Sequence, residues 1–348
     1  MPEPDRSIAM FGFFKTGNAP KAGEPDIAAA HVAVSSATQN AEHILRRLEW
    51  TVIRQLDGLL QGDYRTLLRG SGLDLADLRE YQHHDDVRHI DWNVTARLQT
   101  PHVRVFTEDR EMAAWFLLDL SPSVDFGSGD QRKKAVSLEF VTTVARLLTR
   151  HGNRVGAQLY GTGVDTVIPA RSGRLHVLHL LHSMLIRPTP VETEGTRLHE
   201  LLQSAATTIK RRSTVFVVSD FISSPGWEKP LGQLAQRHDV VAVRLLDPME
   251  LELPDLGLIP IRDAETGEHL LVDTHDSGFR KRFARIAAQR EADLRLALGN
   301  AGVDTLELST DDDLVNAVLR FTELRKRRMR LAGAGRAGGM SVHLKAVA

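Results

Sequence analysis

Asp119, Ser121 and Ser123 close an apolar run, Ala113-Ala114-Trp115-Phe116-Leu117-Leu118, at positions i, i+2 and i+4. A buried strand ending this way gathers one carboxylate and two hydroxyls at the carboxyl edge of a sheet, where ligands bind in open α/β folds. These oxygens are hard donors that suit Mg²⁺ or Mn²⁺ and not the softer metals. Two further segments offer matching groups. Gly195-Thr196-Arg197-Leu198 opens a helix, with Thr196 as the expected N-cap and a hydroxyl able to face the same edge. Val217-Val218-Ser219-Asp220-Phe221 ends a second apolar strand in a carboxylate. Each piece alone has an ordinary structural explanation; the order and spacing of all three point to one divalent ion.

The surrounding pattern supplies the elements such a site needs. Residues 1–40, rich in Ala, Gly, Pro and Ser, are read as a flexible tail, and residues 331–348 as a second one. Residues 41–110 are read as a β-rich module with a preceding helix, whose face carries Ile44, Leu45, Leu48, Val52, Ile53 and Leu56. From 111 to 330 strands and helices alternate, which implies a mostly parallel sheet covered on both faces. The runs Trp115–Leu118 and Val215–Val218 are apolar enough to be its central strands. Turns at Gly161-Thr162-Gly163 and Glu265-Thr266-Gly267 predict two hairpins.

Composition limits the partners. The 348 residues carry 44 Lys plus Arg against 45 Asp plus Glu, so no long-range field points to nucleic acid or an anionic membrane. With no cysteine, disulfides, thiolate metal sites and thiol nucleophiles are excluded. No stretch has the ~18 apolar residues of a membrane span, and Met10-Phe11-Gly12-Phe13-Phe14 is too short for a secretory leader. A cytoplasmic location is expected.

The pattern Asp-x-Ser-x-Ser, Gly-Thr before a helix, and Ser-Asp after a strand resembles the metal-ion-dependent adhesion site of von Willebrand factor A domains. The stretch from Asp77-Leu78-Arg79-Glu80-Tyr81 to Asp91-Trp92-Asn93-Val94-Thr95-Ala96-Arg97 is more specific. It is similar to the signature of the bacterial domain-of-unknown-function family fifty-eight, and the resemblance covers roughly residues 40 to 250. It implies a Rossmann-like von Willebrand factor A domain preceded by a small β-rich module. It also implies Asp119, Ser121, Ser123, Thr196 and Asp220 as ligands of Mg²⁺ or Mn²⁺, with one position left for an acidic residue of a protein partner. The kinship further suggests a non-enzymatic adaptor working with a MoxR-type AAA+ ATPase in the assembly or maturation of client complexes. Two positions depart from the family pattern: His83-His84 stands where Pro-Gly is usual, and Val124 where methionine is frequent.

Other clusters have plainer readings. His83, His84, Asp85, Asp86, His89 and Asp91 are expected to form an ion-paired turn with Arg88 and Arg97, bracing Trp92 against the α/β module. His176, His179 and His182 recur at threes without an accompanying carboxylate and read as a helix surface. The basic run Arg325–Arg330 reads as a solvated helix end. An enzyme reading needs a nucleophile and a base, but no Gly-x-Ser-x-Gly elbow occurs, no histidine is placed by motif, and no Walker-type phosphate loop is present. The alternative from the enzyme class is a divalent-metal-dependent phosphoester hydrolase.

Overall fold

The computed structural model describes residues 27–60, 75–82, 85, 87, 90–106, 113–129, 131–187, 195–262 and 269–337. Helix α1 (Ile27–Leu48) runs through a π-helical turn (Glu49–Ile53) into α2 (Arg54–Leu60). Then come β1 (Leu75–Glu80), α3 (Trp92–Leu98), β2 (His102–Phe106), β3 (Ala113–Asp119) and α4 (Lys133–Arg150). The middle of the chain forms β4 (Arg154–Tyr160), β5 (Val164–Arg171), α5 (Arg174–Leu185), α6 (Leu198–Thr208) and β6 (Thr214–Ser219). The last part forms α7 (Glu228–Arg237), β7 (Asp239–Leu246), β8 (Leu258–Arg262), β9 (His269–Asp273), α8 (Ser277–Ala301), β10 (Asp304–Ser309) and α9 (Leu314–Ala337).

Six strands make the main sheet, in the order β10-β7-β6-β3-β4-β5. Neighbours are parallel except β5, which returns antiparallel on β4 as the expected hairpin. The two apolar runs become β3 and β6, side by side at the centre and buried along nearly their whole length. Strand β3 continues through α4 to β4 on one side, while β6 lies on its other side. Strand order therefore reverses beside the carboxyl end of β3, where open α/β sheets place their ligand crevice.

Alternation along β3 divides the core into two layers. Phe116 and Leu118 face α1, α2, α4, α5 and α9, whereas Trp115 and Leu117 face α6, α7 and α8. In the first layer Phe116 stacks on Phe216 with ring centroids 5.2 Å apart, and Phe140 meets both edge-on. Truncating one such phenylalanine to Ala would cost about 3–5 kcal/mol. In the second layer Gly156 on β4 lies against the Trp115 ring: a Cβ there would come within 2.9 Å of it.

Several expectations are refined. Helix α1 begins at Ile27, ahead of the expected start near residue 41. Leu45, Leu48, Ile53 and Leu56 pack into the core of the main sheet, so this helix belongs with the α/β domain. Strands β1 and β2 pair antiparallel, with α3 between them in sequence. The turn near residue 85 differs from the expected brace. Asp85 takes a two-pronged pair from Arg79, at 2.6 and 2.8 Å, and Trp92 is 70 % exposed. Asp91 is the N-cap of α3, accepting from the Asn93 and Val94 amides. His83, His84, Asp86, Arg88 and His89 lie outside the described residues.

The basic run in α9 is not wholly solvated either. Arg325 is buried and grips Asp239, at the start of β7, with Asp304, at the start of β10. In α5, His176 donates from Nε2 to the Val155 carbonyl at 2.7 Å, as a helix-to-sheet contact. Among the described residues no helix is long and apolar enough to cross a membrane.

Candidate metal centre

Asp119, Ser121, Ser123, Thr196 and Asp220 are all buried. The first three share one turn. The Ser121 amide donates to Asp119 Oδ1 at 3.0 Å, and the Ser121 and Ser123 hydroxyls lie 3.1 Å apart. Pro122 starts a short 3₁₀ turn, Pro122–Asp125, which pins these serines below the sheet edge.

Strand β6 contributes from alongside. The Ser219 hydroxyl donates to Asp119 Oδ2 at 2.6 Å and accepts from the Phe221 amide at 2.9 Å, joining the two strand ends. Asp220 Oδ1 accepts from the Ile222 amide at 3.0 Å. Phe221 then adopts φ of +59°, a left-handed conformation uncommon for a bulky residue. Packing of its buried ring against Trp227, with centroids 5.4 Å apart, offsets a strain of about 1–3 kcal/mol.

Thr196 arrives on the loop before α6. Gly195 precedes it at φ +97°, a conformation open to glycine and strained for other residues. Thr196 is not the N-cap: that position is Arg197, and no side chain of α6 caps the helix. Ser223, from the loop after β6, does so by accepting from the Leu198 amide at 3.0 Å. The Ser223 hydroxyl and the Ser224 amide both donate to the Thr196 carbonyl at 2.9 Å, while the Arg197 amide donates to the Tyr160 hydroxyl at 2.9 Å. The loop carrying Thr196 is thus fastened to the ends of β4 and β6. The three predicted segments converge at one edge.

The electrostatics are those of a crowded anionic site. Burial first, and the Asp220 charge second, push Asp119 up to about 6 despite the hydrogen bonds from Ser219 and Ser121. Lys133, at the start of α4, is 1 % exposed and places its ammonium 2.8 Å from Asp220 Oδ2 and 2.6 Å from Glu250 Oε1. Burial works against that charge, yet the two carboxylates hold the lysine above its ordinary pKa. Glu250 is fixed through its other oxygen, which accepts from the Asp247 amide in a capping box. Asp247 in turn accepts from the Ser128 amide and hydroxyl and from the Thr310 hydroxyl. Burial disfavours its charge, but these bonds keep its pKa below the usual aspartate value.

Sequence reasoning missed Lys133, Glu250, Ser223 and Tyr160, and it placed Ser219 in the Ser-Asp pattern without giving it a role. Among the missed residues, Glu250 had a local signal, the Asp247-Pro248-Met249-Glu250 capping-box spacing. Among the described residues no three His, Cys, Asp or Glu side chains group as metal ligands. The candidate set has two carboxylates, and hydroxyls make up the rest. Its chemistry fits a hard divalent ion: every donor is oxygen, and the Lys133 ammonium already stands as a cation on one of the carboxylates.

Residues 77–293 match the family model described as protein of unknown function DUF58. Uncharacterized proteins of Mycobacterium tuberculosis and Mycobacterium bovis are each 38 % identical over 284 residues, covering 81 % of this chain and 89 % of theirs. Among solved structures, a conserved hypothetical protein, BatB from Bacteroides thetaiotaomicron, is similar with a TM-score of 0.40 and 11 % identity. That match covers 62 % of this chain and 99 % of BatB. A von Willebrand factor type A protein from Catenulispora acidiphila is similar with a TM-score of 0.30 and 10 % identity, over 64 % of this chain and 43 % of that one. The chain belongs to the DUF58 family, and its centre is a Rossmann-like α/β domain with a mostly parallel sheet.

Proposed function

We propose that this protein is a non-enzymatic adaptor that captures an acidic residue of a protein partner through a divalent ion, Mg²⁺ or Mn²⁺. Asp119, Ser121, Ser123, Thr196 and Asp220 would hold the ion, which supplies Lewis-acid affinity for one further carboxylate. The observation that supports this reading most is the meeting of three distant loops, all bearing oxygen donors, at the switch point of the sheet. Two ligand carboxylates bring a divalent ion near neutrality and leave it able to accept a third. The protein's own part is to keep these donors aimed without rearrangement, through Ser219, Ser223 and Tyr160.

The partner we propose is a MoxR-type AAA+ ATPase or a client brought to it for assembly or maturation, with the adaptor acting in the cytoplasm. Affinity capture from native lysate, with Mg²⁺ or with EDTA and with Asp220→Ala as control, tests this. Partners retained by the wild type in Mg²⁺ should be lost in EDTA and in the variant. Capture that ignores both changes refutes the adaptor reading. Phosphoester turnover in Mn²⁺ that disappears in Asp119→Ala would replace it with the hydrolase.

A further inference from the structure

The buried Lys133 has no place in the ligand set, yet it touches that set directly. Its ammonium bridges Asp220 and Glu250, and its amide donates to the Phe126 carbonyl at 2.9 Å, so the first turn of α4 is anchored where the side chain points inward. The Phe126 ring lies 5.7 Å from the same ammonium. Acidic groups facing this pocket are Asp220 and Glu250 directly, with Asp119 coupled through the Asp220 charge. A buried ion pair of this kind is poor value as a stabilising device, because desolvating the charges offsets most of their attraction. Its position suggests a different use.

We propose that Lys133 is an internal counter-ion that competes with the divalent ion for Asp220 and so lowers metal affinity, with Glu250 as the carboxylate to which its ammonium withdraws when the ion binds. This rests on the metal-dependent reading of the site. The geometry provides both positions: the ammonium already spans them, and a small rotation of a flexible lysine stem trades one oxygen for the other. Glu250 is held by its second oxygen, so it stays in place as the ammonium moves. Metal affinity low enough for release suits an adaptor that must let its partner go.

The test is Mn²⁺ binding followed by calorimetry and by the electron paramagnetic resonance of free Mn²⁺, with circular dichroism as the folding check. Lys133→Met keeps the stem and removes the charge. A unit charge within a few ångströms of a divalent ion at a partly buried site outweighs a factor of ten, so affinity should rise at least about tenfold. Glu250→Gln removes the rival carboxylate, leaves the ammonium on Asp220, and should weaken Mn²⁺ at least about tenfold. Lys134→Met, a neighbouring charge on the same helix, should change affinity less than about threefold.

If Lys133 is merely structural, both pocket variants weaken binding. Unchanged or weaker binding in a folded Lys133→Met therefore overturns the counter-ion and leaves the adaptor intact. Binding by Lys133→Met but not by the wild type upholds the counter-ion and removes the native metal site. Binding by neither overturns both. If Lys133→Met fails to fold, Lys133→Gln, which keeps a polar head beside Asp220 and Glu250 without the charge, decides by the same criterion: binding at least about tenfold tighter supports the proposal, and equal or weaker binding overturns it.

Discussion

Replacing Asp119 by asparagine removes a buried charge at nearly constant shape. Burial and the neighbouring Asp220 hold this carboxyl at about 6, against an ordinary value of 3.8. The folded chain thus binds the proton more tightly than the unfolded chain. Its contribution to stability is complete below about 3.8 and is lost as the pH rises through about 6. That gap corresponds to about 3 kcal/mol missing from the metal-free protein at neutral pH. The amide has no charge to bury and can still accept from the Ser121 amide, but it gives up one of the two contacts, the Ser219 hydroxyl, at a cost of about 1 kcal/mol. Asp119→Asn should therefore be more stable than the wild type by about 2 kcal/mol in EDTA near neutral pH, measured by urea unfolding. The advantage should vanish as the pH approaches about 4. Mg²⁺ at about 100 times its dissociation constant should then raise the wild type alone by about 2.7 kcal/mol and reverse the order. A variant that is less stable in EDTA near neutral pH, or that gains as much from Mg²⁺, would refute this account of Asp119.

Tyr160→Phe deletes the acceptor of the Arg197 amide and should cost about 1 kcal/mol of stability. It should also weaken Mn²⁺ several-fold in calorimetry, with the circular dichroism spectrum unchanged, because the loop carrying Thr196 loses one of its fastenings. Asp247→Ala strips partners from Ser128, Met249 and Thr310 at once and should lower stability by about 3 kcal/mol, seen as a drop in thermal midpoint. Burial, aided by Arg237 and Arg212, holds His238 below its ordinary 6.5, so its contribution is present above that value and lost as the pH falls below it. His238→Leu should therefore gain stability relative to the wild type as urea unfolding is moved from neutral pH to about pH 5.

How much of this the amino-acid order carried depended on whether a feature was local. Trp115–Leu118 and Val215–Val218 were legible as central strands because parallel strands buried on both faces need continuous apolar runs. Asp119 and Asp220 were legible as edge carboxylates because each follows such a run. Lys133 was not. A lysine in the first turn of a helix looks like solvated surface, and its partners lie 87 and 117 residues along the chain. Arg325 was hidden for the same reason, within a basic run that resembles a helix end, while Asp239 sits 86 residues earlier. Thr196 was expected to cap its own helix, yet the cap comes from Ser223, 25 residues beyond Leu198. Long-range pairing of polar groups leaves no periodic trace, whereas hydrophobic burial does.

The same long-range bonds separate the fold from its site. Ser219, Ser223, Tyr160 and Asp247 tie each loop at the carboxyl edge to a strand or to a neighbouring loop, while the two hydrophobic layers lie on the faces of the sheet below. An ion entering the site would meet donors already in position, so little of its binding free energy is needed to order the chain. What it would relieve is the repulsion between Asp119 and Asp220, which the fold carries because the hydrophobic layers are stable enough to hold two carboxylates out of water. Loss of a ligand should accordingly remove metal and partner while leaving the sheet intact. Loss of a tie such as Asp247 should weaken both together.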